Sequence, residues 1–170
     1  HTDDLEKCIS SIMEKSTWKN IQIIVIENNS EEDKTYRYYE EVQKRFPAVQ
    51  VVVWDGPFNY SAINNFGAKY ADGDFLLLLN NDTEVITPDW LESMMGYCQR
   101  EDVGIVGAKL LYPDNTVQHA GVVVGIAGFA GHILTGYDQN APGYLWRLQT
   151  AQDESAVTGA CLMVKRSVFD

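Results

Sequence analysis

Residues 60–82 read YSAINNFGAKYADGDFLLLLNND, and their pattern identifies the fold class. Apolar residues three and four positions apart in its first part predict a helix that ends at the Asp72-Gly73 turn. Residues 75–79 (FLLLL) form a continuous apolar run of the length typical of a buried strand. Two asparagines and Asp82 follow that run directly. A helix, a turn and a buried strand that ends in polar residues together form the repeating unit of an α/β sheet.

The same alternation extends upstream of this stretch. Apolar residues at helical spacing over residues 5–13 predict a helix, with Thr2 as its N-terminal cap. Branched residues over 21–26 predict a buried strand, and Ser30 is predicted to cap the helix that follows it. Residues 49–54 predict the next strand. Strands that alternate with helices in this way predict a right-handed and mostly parallel sheet.

The pattern changes in the second half of the chain. Thr87-Pro88-Asp89 predicts one more helix start, with proline in the first helical position. Further strands are predicted at residues 103–111, 117–124 and 156–164. The first two are expected to form a hairpin that turns at residues 112–115. The glycine-rich residues 125–143 are expected to form a long loop, which is a frequent location of function in compact domains.

Length and composition fit one domain of an ordinary globular protein. The chain has 170 residues, of which 45% are hydrophobic and 22% are charged, which is enough to form a sizeable core. The predicted fold class is α/β, a Rossmann-like and mostly parallel sheet flanked by helices over residues 1–100. A mixed-strand region is predicted over residues 101–170.

The charge balance argues against several classes of function. The chain carries 24 acidic and 13 basic side chains, for a formal net charge of −11. A nucleic-acid-binding protein needs a basic face, which this balance disfavours. An acidic protein is also repelled by an anionic membrane surface. The longest apolar run, residues 75–79, is too short to span a bilayer. Cys8, Cys98 and Cys161 are too widely spaced for a metal or redox motif and are predicted to be reduced and buried.

Acidic side chains follow two of the predicted strands. Asp82 is interpreted either as a turn aspartate or as a ligand for a hard divalent cation such as Mn²⁺ or Mg²⁺. Asn80 and Asn81 could add neutral hydrogen-bonding groups beside it. Glu27 is interpreted either as a solvated turn residue or as an acceptor for a ribose or a base. Ligands of open α/β sheets bind beyond the carboxyl ends of the strands, where these residues are expected.

Several segments, taken in order, resemble the family 2 glycosyltransferases, which have the GT-A fold. Residues 21–30 (IQIIVIENNS) resemble the family's second strand and its polar ending, and residues 60–82 resemble the helix and strand that lead to its D-x-D motif. Residues 83–85 (TEV) and 88–91 (PDWL) continue the pattern. Residues 118–122 (QHAGV) and 157–161 (VTGAC) resemble bacterial members that act on surface polysaccharides, the rhamnosyltransferase-like ones among them.

The resemblance implies roles for individual residues of the site. Glu27 matches the acid that contacts the nucleotide base, and Asp82 matches the last aspartate of D-x-D, which holds Mn²⁺ or Mg²⁺ on the diphosphate. Asn81 matches the middle of that motif, near the ribose and the metal. The nucleotide-sugar site implied as a whole comprises Glu27, Asn28, Asn59, Asn80, Asn81 and Asp82. Three residues depart from the family pattern, because Asn80 and Glu27 replace aspartates and Asn29 replaces a glycine.

The resemblance also implies a function. A hexosyltransferase-type enzyme would move a sugar from a UDP- or dTDP-sugar to a hydroxyl of a glycan or lipid-linked acceptor, with inversion, in cell-surface polysaccharide synthesis. Residues 1–100 would be the nucleotide-sugar-binding half and residues 101–170 the acceptor-side half of one partial domain, residues 1–170. The catalytic base is expected beyond Asp170. The enzyme would be cytoplasmic and would work at the inner face of the membrane as a peripheral protein.

Three other functions are weighed against sugar transfer. A non-catalytic module that binds a nucleotide or a sugar fits the neutral Asn80. A dinucleotide-dependent oxidoreductase would need a G-x-G-x-x-G turn, which this sequence lacks. A phospho-acceptor signalling domain would need a strand-end aspartate and a later lysine, for which Lys109 could serve. The predicted hairpin and the glycine-rich second half do not fit that domain.

Other polar and aromatic residues have two interpretations each. His119 is either a base or a structural histidine bonded within the sheet. His132 lies in the glycine-rich segment and could approach a ligand. Tyr144 and Trp146 either stack on a sugar or pack within a loop. The acidic pair Asp153-Glu154 is interpreted as part of a solvated loop.

Overall fold

Helices and strands alternate through the first hundred residues, as predicted. A computed structural model describes residues 1–170 apart from the side chain of Ala127. Its first half contains α1 (Thr2–Lys15), β1 (Ile23–Glu27), α2 (Asp33–Arg45), β2 (Val49–Val53), α3 (Tyr60–Ala68), β3 (Phe75–Leu79) and α4 (Trp90–Cys98). Its second half contains β4 (Ile105–Gly107), β5 (Leu110–Leu111), β6 (Val117–His119), β7 (Val122–Val124), β8 (Ala130–His132), β9 (Cys161–Lys165) and α5 (Arg166–Phe169). The predicted α/β class is confirmed.

Strand pairing joins the two halves of the chain. β1 and β2 pair in parallel, with Glu27 opposite Val53 at their carboxyl ends. β9 lies between β3 and β4 and is antiparallel to both. β5 pairs with β6, and β7 with β8, again antiparallel. Among the described strands, the parallel pairing predicted for most of the sheet is therefore found between β1 and β2 alone, because β3 pairs with the antiparallel β9. Because β9 comes from the end of the chain and β3 from the first half, the sheet ties residues 160–165 to β3 and to the polar residue that follows it, Asn80.

Two core clusters hold the helices against these strands. Leu5 and Ile9 of α1 pack with Val42 of α2 and Val49 of β2. A second cluster joins α4 to β9, and its buried members are Leu91, Met94, Cys98, Cys161 and Met163. All three cysteines are free and buried, as predicted.

The predicted helix caps are wrong. The cap of α1 is His1, and Thr2 lies buried with its hydroxyl 2.7 Å from that of Thr35 in α2. The cap of α2 is Glu32, because Ser30 is engaged by Glu27 instead. The cap of α4 is Asp89, so proline precedes the helix and does not open it.

The second half is more finely divided than predicted. The hairpin at residues 112–115 is confirmed, with Tyr112 N–H donating to Thr116 O at 2.8 Å. The strand predicted at residues 103–111 is split into β4 and β5, and the one at 117–124 into β6 and β7. Gly121 separates the latter two with a φ of +119°, a conformation that glycine adopts without steric cost. The loop predicted at residues 125–143 contains β8, and the strand predicted from residue 156 begins at Cys161.

Candidate functional site

Glu27 ends β1 with its carboxylate turned into the protein. The residue is 2% exposed. Its Oε1 accepts from the backbone N–H of Ser30 at 2.5 Å, and its Oε2 accepts from the hydroxyls of Ser30 at 2.6 Å and Tyr39 at 2.5 Å. Both carboxylate oxygens are therefore engaged within the chain, and they fix the turn that follows β1.

These contacts keep Glu27 ionised. Burial opposes its charged form, but the hydrogen bonds from the hydroxyls of Ser30 and Tyr39 and from the Ser30 amide outweigh burial, so the pKa of Glu27 is lowered. Burial and the bond to Glu27 raise the pKa of Tyr39 to about 12. The Tyr39 hydroxyl therefore remains a donor to a charged acceptor.

Asn28 joins the end of β1 to the turn after β2. Its amide donates to the carbonyl oxygens of Trp54 at 3.1 Å and Gly56 at 2.9 Å. The next residue, Asn29, has a φ of +58°. Asparagine tolerates this left-handed conformation better than most residues, which explains how it can stand where the family has glycine.

Residues 80–82 form an exposed turn at the carboxyl end of β3. The Asn80 N–H donates to Ala160 O at 3.0 Å, and the hydroxyl of Thr83 donates to Asn80 O at 2.9 Å. These bonds use the backbone of the turn and leave the side chains of Asn80, Asn81 and Asp82 exposed. The turn thus presents one carboxylate and two amides to solvent.

This donor set fits a hard divalent cation that brings its own ligands. Among the residues that the structure describes, no three histidine, cysteine or acidic side chains converge as a metal cluster. Mg²⁺ typically takes only one or two protein carboxylates and completes its shell with phosphates and water. Asp82 can supply the carboxylate, with amide oxygens of Asn80 or Asn81 beside it.

Asn59 has a structural role that the sequence interpretation missed. It is the N-terminal cap of α3, and its Oδ1 accepts from Ala62 N–H at 3.0 Å. The following residue, Tyr60, donates its hydroxyl to Gly159 O at 2.8 Å. The start of α3 is thereby bonded to the segment that leads into β9.

Residues 158–160 were not predicted as part of the site, yet they connect its pieces. Gly159 contacts Tyr60, Ala160 accepts from Asn80, and the Thr158 N–H donates to Nε2 of His119 at 3.4 Å. The only signal in the sequence was the VTGAC motif itself. Its contacts span the whole chain, so spacing alone could not reveal them.

The two histidines of the second half lie together. Nδ1 of His119 is 3.1 Å from Nδ1 of His132. His119 is 1% exposed. Burial and the neighbouring His132 lower the pKa of His119 to about 4. Of the two interpretations of His119, a base or a structural histidine, these contacts favour the structural one. His132 lies beside it and is exposed.

The remaining polar residues divide between structural and exposed positions. Nζ of Lys109 donates to the carbonyl oxygens of Gln139 at 2.9 Å and Leu148 at 3.2 Å, which is a structural role. Glu154 pairs with Arg147 at 2.5 Å and its side chain is 8% exposed, so the solvated-loop interpretation is wrong for this residue. Asp153 is exposed, as predicted. Tyr144 and Trp146 are exposed in a short 3-10 turn.

Comparison with known proteins decides the family. Residues 2–170 match the model described as "Glycosyl transferase family 2". The chain belongs to the family 2 glycosyltransferases. The strands and helices above are accordingly those of a GT-A fold. The roles of individual residues in binding base, ribose and metal stay predictions.

Two bacterial relatives resemble this glycosyltransferase chain over its full length. It is 43% identical over 170 residues to the uncharacterized protein y4gI of Sinorhizobium fredii, a match that covers 100% of this chain and 19% of that protein. It is 38% identical over 180 residues to the O-antigen biosynthesis protein RfbC of Myxococcus xanthus, which covers 99% of this chain and 13% of that protein. The chain therefore spans less than a fifth of the length of either relative. Among the described residues, no helix has the length and apolar character needed to cross a membrane.

Proposed function

We propose that this chain binds a UDP- or dTDP-sugar at the carboxyl ends of β1 and β3. The bound sugar is then transferred to an acceptor hydroxyl. One observation carries the proposal: the exposed Asp82 carboxylate directly follows β3 in a chain that belongs to the family 2 glycosyltransferases. This is the edge of an α/β sheet where ligands bind. The name of the Myxococcus relative, an O-antigen biosynthesis protein, supports cell-surface polysaccharide synthesis as the process.

Asp82 would hold Mn²⁺ or Mg²⁺ together with the diphosphate of the donor. A divalent cation bound there supplies positive charge that stabilises the departing nucleoside diphosphate. The chain carries a net charge of −11, so a bound cation also reverses an otherwise unfavourable field for a diphosphate. Asn80 and Asn81 would donate or accept hydrogen bonds around the same ligand without adding charge.

Glu27 would act on the nucleotide through the turn that it fixes. A direct contact with a base, as the resemblance implies, would have to reach a carboxylate that is 2% exposed and already accepts three hydrogen bonds from Ser30 and Tyr39. Asn28 holds the turn after β2 in place through Trp54 O and Gly56 O. The two residues together keep the end of β1 rigid, and a rigid site loses less free energy when its ligand binds.

The proposed reaction is a single displacement at the anomeric carbon, with inversion. The acceptor is a glycan or a lipid-linked sugar, and its hydroxyl must lose a proton to a carboxylate base. The prediction from the sequence, that this base lies beyond Asp170, stays a prediction. A lipid-linked acceptor would bring a cytoplasmic enzyme to the inner face of the membrane.

A non-catalytic nucleotide- or sugar-binding module is the second candidate. The observation that favours it is the neutral Asn80 at a position where the family has aspartate, which leaves a single carboxylate in the turn. A full-length protein that binds a nucleotide sugar with Mn²⁺ but releases no nucleotide in the presence of bacterial glycan acceptors would favour the module. Release of nucleotide that depends on acceptor would favour the transferase.

Calorimetric titration with UDP and with dTDP, with and without Mn²⁺, tests the proposed site. We expect binding that requires Mn²⁺ and that weakens at least tenfold in Asp82→Ala, because the protein's carboxylate ligand is lost. Asp72→Ala is the matched control, since Asp72 is also exposed but precedes β3 at its opposite end. Equal affinity in Asp82→Ala and the unmodified chain would contradict the assignment.

A further inference from the structure

His119 and His132 face each other where three short strands meet. His119 ends β6 and His132 ends β8, and the pairing of β7 with β8 sets His132 opposite Val122. Gly121 makes the turn between β6 and β7. The two rings are 4.9 Å apart at an interplanar angle of 77°. One ring is buried and the other is exposed, so the pair connects the protein interior with the surface.

The partners of His119 fix the tautomers of both rings. The Thr158 N–H donates to His119 Nε2, so this nitrogen carries a lone pair and a neutral His119 has its proton on Nδ1. That proton points at Nδ1 of His132, 3.1 Å away, which must accept it. A neutral imidazole that accepts at Nδ1 carries its own proton on Nε2. His132 therefore has a fixed Nε2–H donor that its histidine partner does not use.

His132 lines an open pocket of about 350 Å³. Small-molecule sites in proteins usually measure roughly 300–1,000 Å³. The residues around the pocket are Tyr112, Gln118, His132, Thr135, Thr158 and Ala160. They offer hydroxyl groups, an amide and the imidazole N–H, and none of these six residues is an aspartate, glutamate, lysine or arginine. Such a lining matches a neutral, hydroxyl-rich ligand better than a phosphate or a carboxylate.

The position of the pocket connects it to the proposed donor site. Ala160 lines the pocket and accepts the hydrogen bond from Asn80 N–H. Thr158 lines the pocket and fixes His119. A ligand in the pocket would therefore lie beside the turn that carries Asp82.

We infer that this pocket binds a neutral sugar unit, with His132 Nε2–H as a fixed donor to a sugar oxygen and His119 as the residue that positions it. The inference rests on the proposed function for its sugar chemistry. The sugar unit has two sources, the sugar of the nucleotide donor and the terminal sugar of the acceptor, and both present the same hydroxyl groups.

Saturation-transfer NMR tests the pocket with the methyl glycosides of glucose, galactose, mannose and rhamnose, and with glucuronate as a charged comparison. We expect transfer to at least one neutral glycoside, weaker transfer to glucuronate, and at least a fivefold loss in His132→Ala. His1→Ala is the control, because the His1 side chain is 98% exposed at the far end of the chain. Absence of transfer to every glycoside, or equal transfer in His132→Ala, would overturn the inference.

Nitrogen-15 NMR of the imidazoles tests the positioning role of His119. In the unmodified chain we expect a protonated Nδ1 on His119 and a protonated Nε2 on His132. His119→Leu should leave His132 as a mixture of tautomers and weaken glycoside binding. His119→Asn should restore the Nε2–H tautomer, because its amide can replace the Nδ1–H donor. A His132 that carries its proton on Nδ1 in the unmodified chain would overturn this role without any variant.

Competition with nucleotides separates the two sources of sugar. Displacement of the glycoside by UDP-glucose but not by UDP would assign the pocket to the donor sugar, and a glycoside that stays bound beside UDP-glucose would assign it to the acceptor. Nucleotide binding that depends on Asp82 is measured separately. If nucleotide binding is absent or does not depend on Asp82, while glycoside binding still depends on His132, the donor site is overturned and the pocket stands.

Discussion

Glu27 is a buried carboxylate that fixes the turn after β1. Three donors from Ser30 and Tyr39 surround it. Its sequence position at the end of β1 was predictable, because a branched apolar run precedes it. The inward direction of its side chain was not, because Tyr39 lies twelve residues later on a different element.

Two of the three tyrosine hydroxyls of α2, those of Tyr36 and Tyr39, provide a test of that charge. Tyr39 donates to the Glu27 carboxylate, whereas Tyr36 donates to the neutral Ser30 carbonyl at 2.7 Å. Tyr39→Phe should lower the free energy of unfolding at pH 7 by roughly 1.5–3 kcal/mol, as for hydrogen bonds to charged groups, and Tyr36→Phe by roughly 0.5–1.5 kcal/mol. Chemical denaturation measures both.

The difference between these variants should depend on pH. The folded pKa of Glu27 lies below its usual value of 4.5, so its contribution to stability is present above pH 4.5 and is lost as the pH falls through the folded pKa. The cost of Tyr39→Phe should shrink over that window, and the cost of Tyr36→Phe should change less. A constant gap between the two variants at all pH values would contradict an ionised Glu27.

His119 should make the protein sensitive to mild acid. Its folded pKa of about 4 is below the usual 6.5, because burial and His132 disfavour its charged form. The unfolded chain therefore binds more protons at this residue, and stability should be complete above pH 6.5 and decline towards pH 4. His119→Asn cannot titrate and should lose less stability over the same window in denaturation experiments. Identical pH profiles would show that His119 is not held neutral.

At the scale of elements, α3 is held against β1 by a close approach at Gly67. A β-carbon at this position would lie 2.4 Å from Cδ1 and 3.1 Å from Cγ1 of Ile26. Isoleucine is branched and stiff at χ1, so it can move away only in part. A residue without a side chain therefore lets the helix that begins at Tyr60 pack closely on the sheet.

Two helical glycines make a matched pair for this packing. Gly96 in α4 has nothing within 4 Å of the position of an added β-carbon, so Gly96→Ala should raise the free energy of unfolding by up to about 1 kcal/mol through helix propensity. Gly67→Ala gains the same propensity but overpacks the core, at roughly 1–3 kcal/mol, and should lower stability on balance. Thermal or chemical unfolding of both variants tests this, and equal stabilisation by both would contradict the close packing.

The short elements of the second half depend less on local sequence pattern than the long elements of the first half do. α1, α2, β2 and β3 have long periodic or continuous apolar patterns, and the sequence predicts them closely. β4 to β8 have two or three residues each, and their bounds depend on left-handed turns such as Gly121 and on partners far along the chain. Local periodicity carries little of that information.

For the whole molecule, the carboxyl end of β3 was predictable and its surroundings were not. Asp82 follows an apolar strand, so its exposure at the sheet edge could be expected from the sequence. The contacts of Asn80 with Ala160 and of Tyr60 with Gly159 join residues 80 and 99 positions apart. They exist because β9 returns to pair with β3, which brings the second half of the chain to the same edge.

Paramagnetic broadening of backbone amide signals by Mn²⁺ in the presence of UDP tests most directly whether Asp82 holds a cation with the nucleotide, with Mg²⁺ and UDP as the diamagnetic reference. We expect the strongest broadening at residues 80–82 and the loss of this pattern in Asp82→Ala. Broadening centred elsewhere, for example at the acidic pair Asp153-Glu154, or a pattern that persists in Asp82→Ala, would contradict a nucleoside diphosphate held at the end of β3.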